Sequence, residues 1–158
     1  MISIRPATCA DGPLVSNMLH QRYSFSSPAE AEHVYDQECT YQHYRIAEDG
    51  GRLVGLISWR PQGTLRHGVV ELTRIVVSPD APDRSFVKEM LFDQVIAESD
   101  YYYKRHGLKL RKIFSMIHAD NLEIKDFFLN KGMHQEAILR NHFRRGTDEL
   151  VFSLFFAT

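Results

Sequence analysis

From Glu71 the chain reads Glu-Leu-Thr-Arg-Ile-Val-Val-Ser-Pro-Asp-Ala-Pro-Asp-Arg-Ser-Phe-Val-Lys-Glu-Met-Leu. A β-branched apolar run enters a short polar loop rich in Pro and Asp, and helical periodicity follows at once. This order sets a helix N-terminus directly after a strand end. The first backbone N–H groups of a helix have no partner inside it, and they carry the positive end of its dipole. Such a junction is a natural seat for a phosphate group.

The rest of the chain supplies layers for that strand to pack into. A strand is expected over 2–5, closed by Pro6, and Thr8 with Asp11 reads as a capping box opening a helix to about residue 23. Leu14, Val15, Met18 and Leu19 have the spacing of an inward face. Ser26-Ser27-Pro28 starts a second helix, with Pro28 at its first turn. Strands over 44–47 and 53–59 flank Asp49-Gly50-Gly51, a hairpin signal. A central strand is expected over 69–77 and a helix over 84–106, with Phe86, Met90, Leu91, Val95 and Ile96 inward and Gly107 as the stop. A strand over 110–117 follows, then a helix capped by Asp120 or Asn121 and ended by Gly132. Two last strands, over 133–141 and 150–156, meet around Gly146. The order predicts an α/β (α+β) domain with a mixed, mostly antiparallel sheet and helices on both faces.

Length and charge narrow the class. At 158 residues the chain reads as one domain, residues 1–158, long enough to bury a core. A net charge of -1 gives no global drive toward nucleic acid or an anionic membrane. Cys9 and Cys39 lie apart in sequence without a CxxC partner, which argues against a disulfide scaffold or zinc ribbon. No apolar run is long enough to span a bilayer, and the first residues lack a signal-peptide core. The expectation is a cytoplasmic protein with no nucleic-acid or membrane partner.

The element order and several local motifs together resemble the GNAT superfamily of acyl-CoA N-acyltransferases. The opening Ile-Ser-Ile-Arg-Pro-Ala-Thr-Cys-Ala-Asp is similar to the family's first strand and helix start, and Leu53-Val-Gly-Leu-Ile-Ser-Trp to its third strand. Asn121, followed by Phe127-Phe128 and Lys131-Gly132-Met133, resembles the family's Asn…Phe-Tyr…Gly-Phe signature. Glu136, Arg140, Gly146 and Asp148 echo a C-terminal pattern of the same superfamily. The resemblance implies a central sheet of about seven strands flanked by about four helices. It also implies acetyl-CoA as co-substrate, no metal, an amine acceptor on a small molecule or peptide, and a homodimer.

By the same resemblance, Ile75, Val76 and Val77 pair through their backbone with the pantetheine arm, and the Val77 N–H faces the oxyanion. The pyrophosphate loop falls on Pro82, Asp83, Arg84, Ser85, Phe86 and Val87, with Lys88 following. The family's loop is Gly-rich because glycine lets the backbone crowd the phosphates. Here none of those glycines is present, Pro82 lacks an N–H, and Asp83 brings a negative charge that Arg84 would offset. Asn121 is expected to bond the pantetheine, to cap its helix, or both.

Acyl transfer to an amine needs a base for the ammonium, donors for the oxyanion and a proton for the leaving thiolate. Glu71 matches a place where the family holds its base; the competing reading is a strand-edge Glu paired with Arg74 or another cation. The family's acid is the Tyr of Phe-Tyr, and Phe128 stands there, with core packing as its own role. Ser115, His118, a Tyr of the first two helices such as Tyr23, or water are the substitutes, or the thiolate leaves unaided. His118, His134 and His142 fall on or beside strands, without the tight spacing of a metal site, and read otherwise as structural. The basic group Lys104, Arg105, His106, Lys109, Arg111 and Lys112 is a candidate surface for RNA or an acidic partner, with the dipole complement of a helix end as the better reading. Arg140, Arg144 and Arg145 suit either an anionic acceptor or a solvated turn. The alternative to an N-acetyltransferase is a non-catalytic protein of the same fold that binds a ligand or partner.

Overall fold

The computed structural model describes residues 1–157. Seven strands and four α-helices alternate as β1 (Ile2–Pro6), α1 (Gly12–Arg22), α2 (Pro28–Glu38), β2 (His43–Asp49), β3 (Arg52–Gln62), β4 (Val69–Val77), α3 (Arg84–Lys104), β5 (Lys112–His118), α4 (Leu122–Asn130), β6 (His134–Arg144) and β7 (Thr147–Phe155). The strands form one sheet in the order β1-β2-β3-β4-β5-β7-β6. The pairs β1–β2, β2–β3, β5–β7 and β6–β7 are antiparallel, and β4–β5 is parallel. The expected mixed, mostly antiparallel sheet is present. No helix among the described residues is long and apolar enough to cross a membrane.

Two compact units make up the chain. The first holds Met1–Arg60 and Arg74–Glu98; the second holds Pro61–Thr73 and the chain from Ser99 onward. β4 contributes its first residues to the second unit and its last to the first.

In the first unit the capping box forms as read, with Asp11 accepting from the Thr8 backbone at 2.6 Å, but it caps a 3-10 turn, Cys9–Asp11, that leads into α1. Val15, Met18 and Leu19 enter a core with Ala31, Tyr35, Tyr44, Ile46, Leu56 and Val76. Leu14 faces solvent instead of the core, because the Pro-initiated turn rotates the buried stripe by one position. Phe86 is likewise exposed, and Val87, Leu91, Phe92 and Val95 form the inward face of α3. Gly50 and Gly51 take φ of 58° and 81°, the left-handed pair that the β2–β3 hairpin requires.

In the second unit Gly68 ends a 3-10 turn at φ 61°, and a Cβ there would stand 2.2 Å from the Lys109 carbonyl oxygen. Only glycine fits that approach. The Tyr103 hydroxyl donates to the Val69 carbonyl at 3.0 Å, tying the end of α3 to the start of β4. Asn121 settles the N-cap of α4, its side chain accepting from Ile124 N–H at 3.3 Å. Phe128 is fully buried and packs on Phe152 with ring centroids 6.0 Å apart.

Candidate active site

The apolar run 69–77 makes β4 a strand buried along much of its length, and Glu71 is a buried carboxylate on it. A charge there must be hydrogen-bonded. Gln62, the last residue of β3, supplies the bond: its Nε2 donates to Glu71 Oε1 at 2.6 Å. The β4–β5 ladder runs from Val69/Lys112 to Glu71/Phe114. One residue on, the Ser115 hydroxyl donates to the Leu72 carbonyl at 2.8 Å. Glu71 therefore sits where backbone pairing gives way to side-chain bonding.

Arg74, the partner proposed for Glu71 by the structural reading, is held by Glu38. Its Nη2 donates to Oε1 at 2.7 Å and its Nε to Oε2 at 3.2 Å. The Tyr44 hydroxyl donates to the same Oε2 at 2.8 Å. Arg74 also lies over the rings of Tyr23 and Phe25, 4.7 and 5.6 Å from their centroids. Burial opposes the guanidinium charge, but the bond to Glu38 and its neighbours outweigh it and hold the Arg74 pKa above its ordinary value. This cluster fixes the C-terminus of α2 and the segment after α1 to β4.

Of the residues expected on the coenzyme side, all but Asn121 belong to the first unit. Val76, Val77 and Val87 bury their side chains, so only their backbone could serve a ligand. The Ile75 N–H donates to the Tyr23 hydroxyl oxygen at 3.3 Å. Burial pushes the Tyr23 phenol pKa up. The Val77 carbonyl accepts from Arg22 at 3.4 Å and from Arg84 at 3.5 Å. Two guanidinium groups thus converge where the strand enters the loop. Asp83 adopts φ 48°, and its carboxylate accepts from the Phe86 N–H at 3.2 Å. It fills, from within the chain, one of the donors that a phosphate would use. Ser85 is exposed and Lys88 is buried.

Glu71 and Asn121 belong to the second unit. The Asn121 N–H donates to the His118 carbonyl at 3.0 Å, a turn that closes β5 onto the cap of α4. His118 faces Glu149 across the β5–β7 register, with Nδ1 2.8 Å from Oε1. Burial raises the Glu149 pKa, against the pull of His118, His142 and Arg144. Among the described residues no three His, Cys, Asp or Glu side chains gather as metal ligands would.

No protein-family model matches the sequence, and no curated protein sequence matches it. Solved structures do. A proposed acetyltransferase of the GNAT family from Desulfovibrio desulfuricans superposes with a TM-score of 0.78 at 20% identity, covering 99% of this chain and 100% of that one. A variant of the spermidine N-acetyltransferase SpeG from Vibrio cholerae gives 0.76 at 18% identity over 98% and 93% of the two chains. A ribosomal-protein-alanine N-acetyltransferase from Brucella melitensis gives 0.74 at 18% over 98% and 99%.

The chain has the GNAT fold.

Identity at this level speaks for the fold, and the chemistry must come from the residues themselves. Sequence reading singled out Glu71 and the β4–loop–α3 junction as candidates. It did not single out Gln62, Glu38, Arg22 or Glu149 as partners. Arg22 had a visible signal, a cation in the last turn of a helix, but helix dipoles alone account for such cations. Gln62 and Glu149 gave none, because their partners come from other strands.

Proposed function

We propose that this protein is an N-acyltransferase that moves an acetyl group from acetyl-CoA to a primary amine of a small molecule or peptide. The observation that carries the reading is Glu71, a buried carboxylate oriented by Gln62 at the point on β4 where the β4–β5 ladder ends, in a GNAT fold. A buried carboxylate held in place by a hydrogen bond is suited to take a proton from an ammonium. The amine nitrogen then attacks the thioester carbonyl, with the Val77 N–H as donor to the oxyanion.

The residues fit a diphosphate in part. Arg22 and Arg84 bring two cations to the entry of the loop, compensating for the missing glycines. The Ile75 N–H and Val77 carbonyl would exchange their present side-chain partners for the pantetheine amides. Acetyl-CoA supplies the activated acyl group.

The acceptors worth testing follow from the folds that superpose: spermidine, after the spermidine N-acetyltransferase SpeG of Vibrio cholerae, and a peptide carrying alanine, after the ribosomal-protein-alanine N-acetyltransferase of Brucella melitensis. Glu71→Gln keeps the shape and the bond to Gln62 and removes the base. The expected result is a loss of kcat of about 100-fold or more, with acetyl-CoA affinity and thermal midpoint unchanged. Equal turnover in the variant removes Glu71 from the reaction.

A second reading has one observation in its favour. Asp83 occupies a helix N-terminal donor and sets a negative charge beside Pro82. A protein that shows no thermal shift with millimolar acetyl-CoA has lost the coenzyme and uses the fold to bind another ligand or a partner.

A further inference from the structure

We propose that His118 delivers the proton to the departing thiolate and that Glu149 is its positioning residue. The proposal rests on the acyltransferase reading above and names the acid which that reading leaves open.

Two of the other side-chain candidates are spent. Phe128 fills the core where a hydroxyl is expected. The Ser115 proton is committed to the Leu72 carbonyl. The Tyr23 oxygen takes the Ile75 N–H and keeps its own hydroxyl proton, which burial holds more tightly by raising the phenol pKa.

His118 is held differently. Glu149 stands opposite it in the antiparallel ladder, nearly sealed from solvent at 2% exposure. The Nδ1 atom is fully enclosed beside that carboxylate, 2.8 Å away and off the ideal hydrogen-bond line, so a small ring rotation completes the bond. The side chain as a whole is 39% exposed. With Nδ1 enclosed, the open edge is the one carrying Nε2. A carboxylate behind Nδ1 that leaves Nε2 free is the arrangement that orients an imidazole for proton transfer.

The placement agrees with the task. Along β5, Ile113, Ser115 and Ile117 are buried on one face, and Phe114, Met116 and His118 point to the other. Glu71 pairs in register with Phe114, so it shares the face of His118. About 13 Å of strand separates their Cα positions, so the carboxylate and the imidazole approach a reacting centre from opposite ends. The His118 carbonyl holds the Asn121 N–H, which sets the imidazole next to the residue expected by resemblance to contact pantetheine. Asp120 from the following turn and His142 and Arg144 from β6 also act on Glu149.

The step balances. As the C–N bond forms, the C–S bond breaks and its electron pair stays on sulfur. The Nε2 proton of the His118 imidazolium moves to that sulfur. Glu71 takes the ammonium proton before attack and passes it to solvent, the nitrogen sheds its second proton to solvent as the intermediate collapses, and solvent reprotonates the imidazole.

Two measurements test the proposal. Nitrogen-15 NMR of the ring needs no acceptor: the neutral imidazole should carry its proton on Nδ1, and Glu149→Gln should shift it toward Nε2. A neutral wild-type ring protonated on Nε2 overturns the positioning role. Kinetics with spermidine and a peptide carrying alanine form the second arm. His118→Gln and His118→Asn should lower kcat about 100-fold, keep the acetyl-CoA dissociation constant within about twofold, and abolish the alkaline limb of the kcat profile. Glu149→Gln should move that limb to lower pH. Wild-type kcat and an unchanged profile in both His118 variants overturn the proposal and leave the acyltransferase reading standing. Absence of turnover by the wild type across both acceptors removes that reading and this proposal together.

Discussion

Arg74 and Glu38 make a two-point ion pair, Nη2 to Oε1 at 2.7 Å and Nε to Oε2 at 3.2 Å, with only 16% and 11% of their side chains exposed. Removing one partner of such a pair strands a desolvated charge, which costs more than the pair itself contributes. Glu38→Gln is therefore expected to destabilise the protein by roughly 3 kcal/mol. The double variant Glu38→Leu with Arg74→Met should lose less than the sum of its singles, because no charge is left behind. Urea unfolding at pH 7 reads all four corners of the cycle. Additive losses would show that the two side chains act independently.

Asp11 gives the fold an acid-sensitive point. The hydrogen bond from Arg5 comes first among the causes that hold its carboxyl down to about 2, below the ordinary 3.8. A folded pKa below the unfolded one stabilises the protein above the unfolded value, and that contribution is lost as pH falls from about 4 toward 2. The Arg5 side chain is 39% exposed, so solvent screening reduces the gain to about 1 kcal/mol. Asp11→Asn should lower the thermal midpoint at pH 7 and leave it nearly unchanged at pH 2. An equal loss at both values would mean that the carboxylate charge is not what matters.

The fold was legible because local signals agreed along the chain. The Asp49-Gly50-Gly51 turn, the Ser27 cap, the β-branched run 69–77 and Gly107 each name a boundary, and the elements fall close to those boundaries. Burial within helices was less legible. Leu14 and Phe86 are apolar but stand one position off the inward stripe, and periodicity over a short helix does not resolve one position in phase. The site divided in the same way. Glu71 and the loop after β4 are contiguous with a recognisable strand–helix junction. Gln62, Glu38 and Glu149 act through partners on other elements, and only the sheet register and the return of α2 bring each to its partner.

Asp83 is the residue in the loop that most opposes an anion. It combines φ 48° with a carboxylate on the Phe86 N–H. Asp83→Gly relieves the left-handed strain, frees the N–H and removes the charge. The lost cap costs about 1 kcal/mol, largely offset by the relaxed backbone. Acetyl-CoA should bind about tenfold more tightly, read by isothermal calorimetry. Weaker binding by the variant would mean that Asp83 shapes the loop for the ligand instead of competing with it.

Arg22 and Arg84 meet at the Val77 carbonyl, 3.4 and 3.5 Å away, and these bonds are long enough to exchange readily for a stronger acceptor. A diphosphate is such an acceptor, since charge-assisted bonds from guanidinium are about twice as strong as neutral ones. If the two arginines hold the diphosphate, Arg22→Met should weaken acetyl-CoA binding about tenfold and flatten its dependence on salt, because one screened charge pair is gone. Acetyl-pantetheine, which has the thioester arm without the diphosphate, should bind the variant and the wild type alike. The comparison separates a lost phosphate contact from a disturbed strand edge. Equal weakening of both ligands would locate the effect in the Val77 backbone, and an unchanged affinity for both would leave Arg22 as a cap on its own helix.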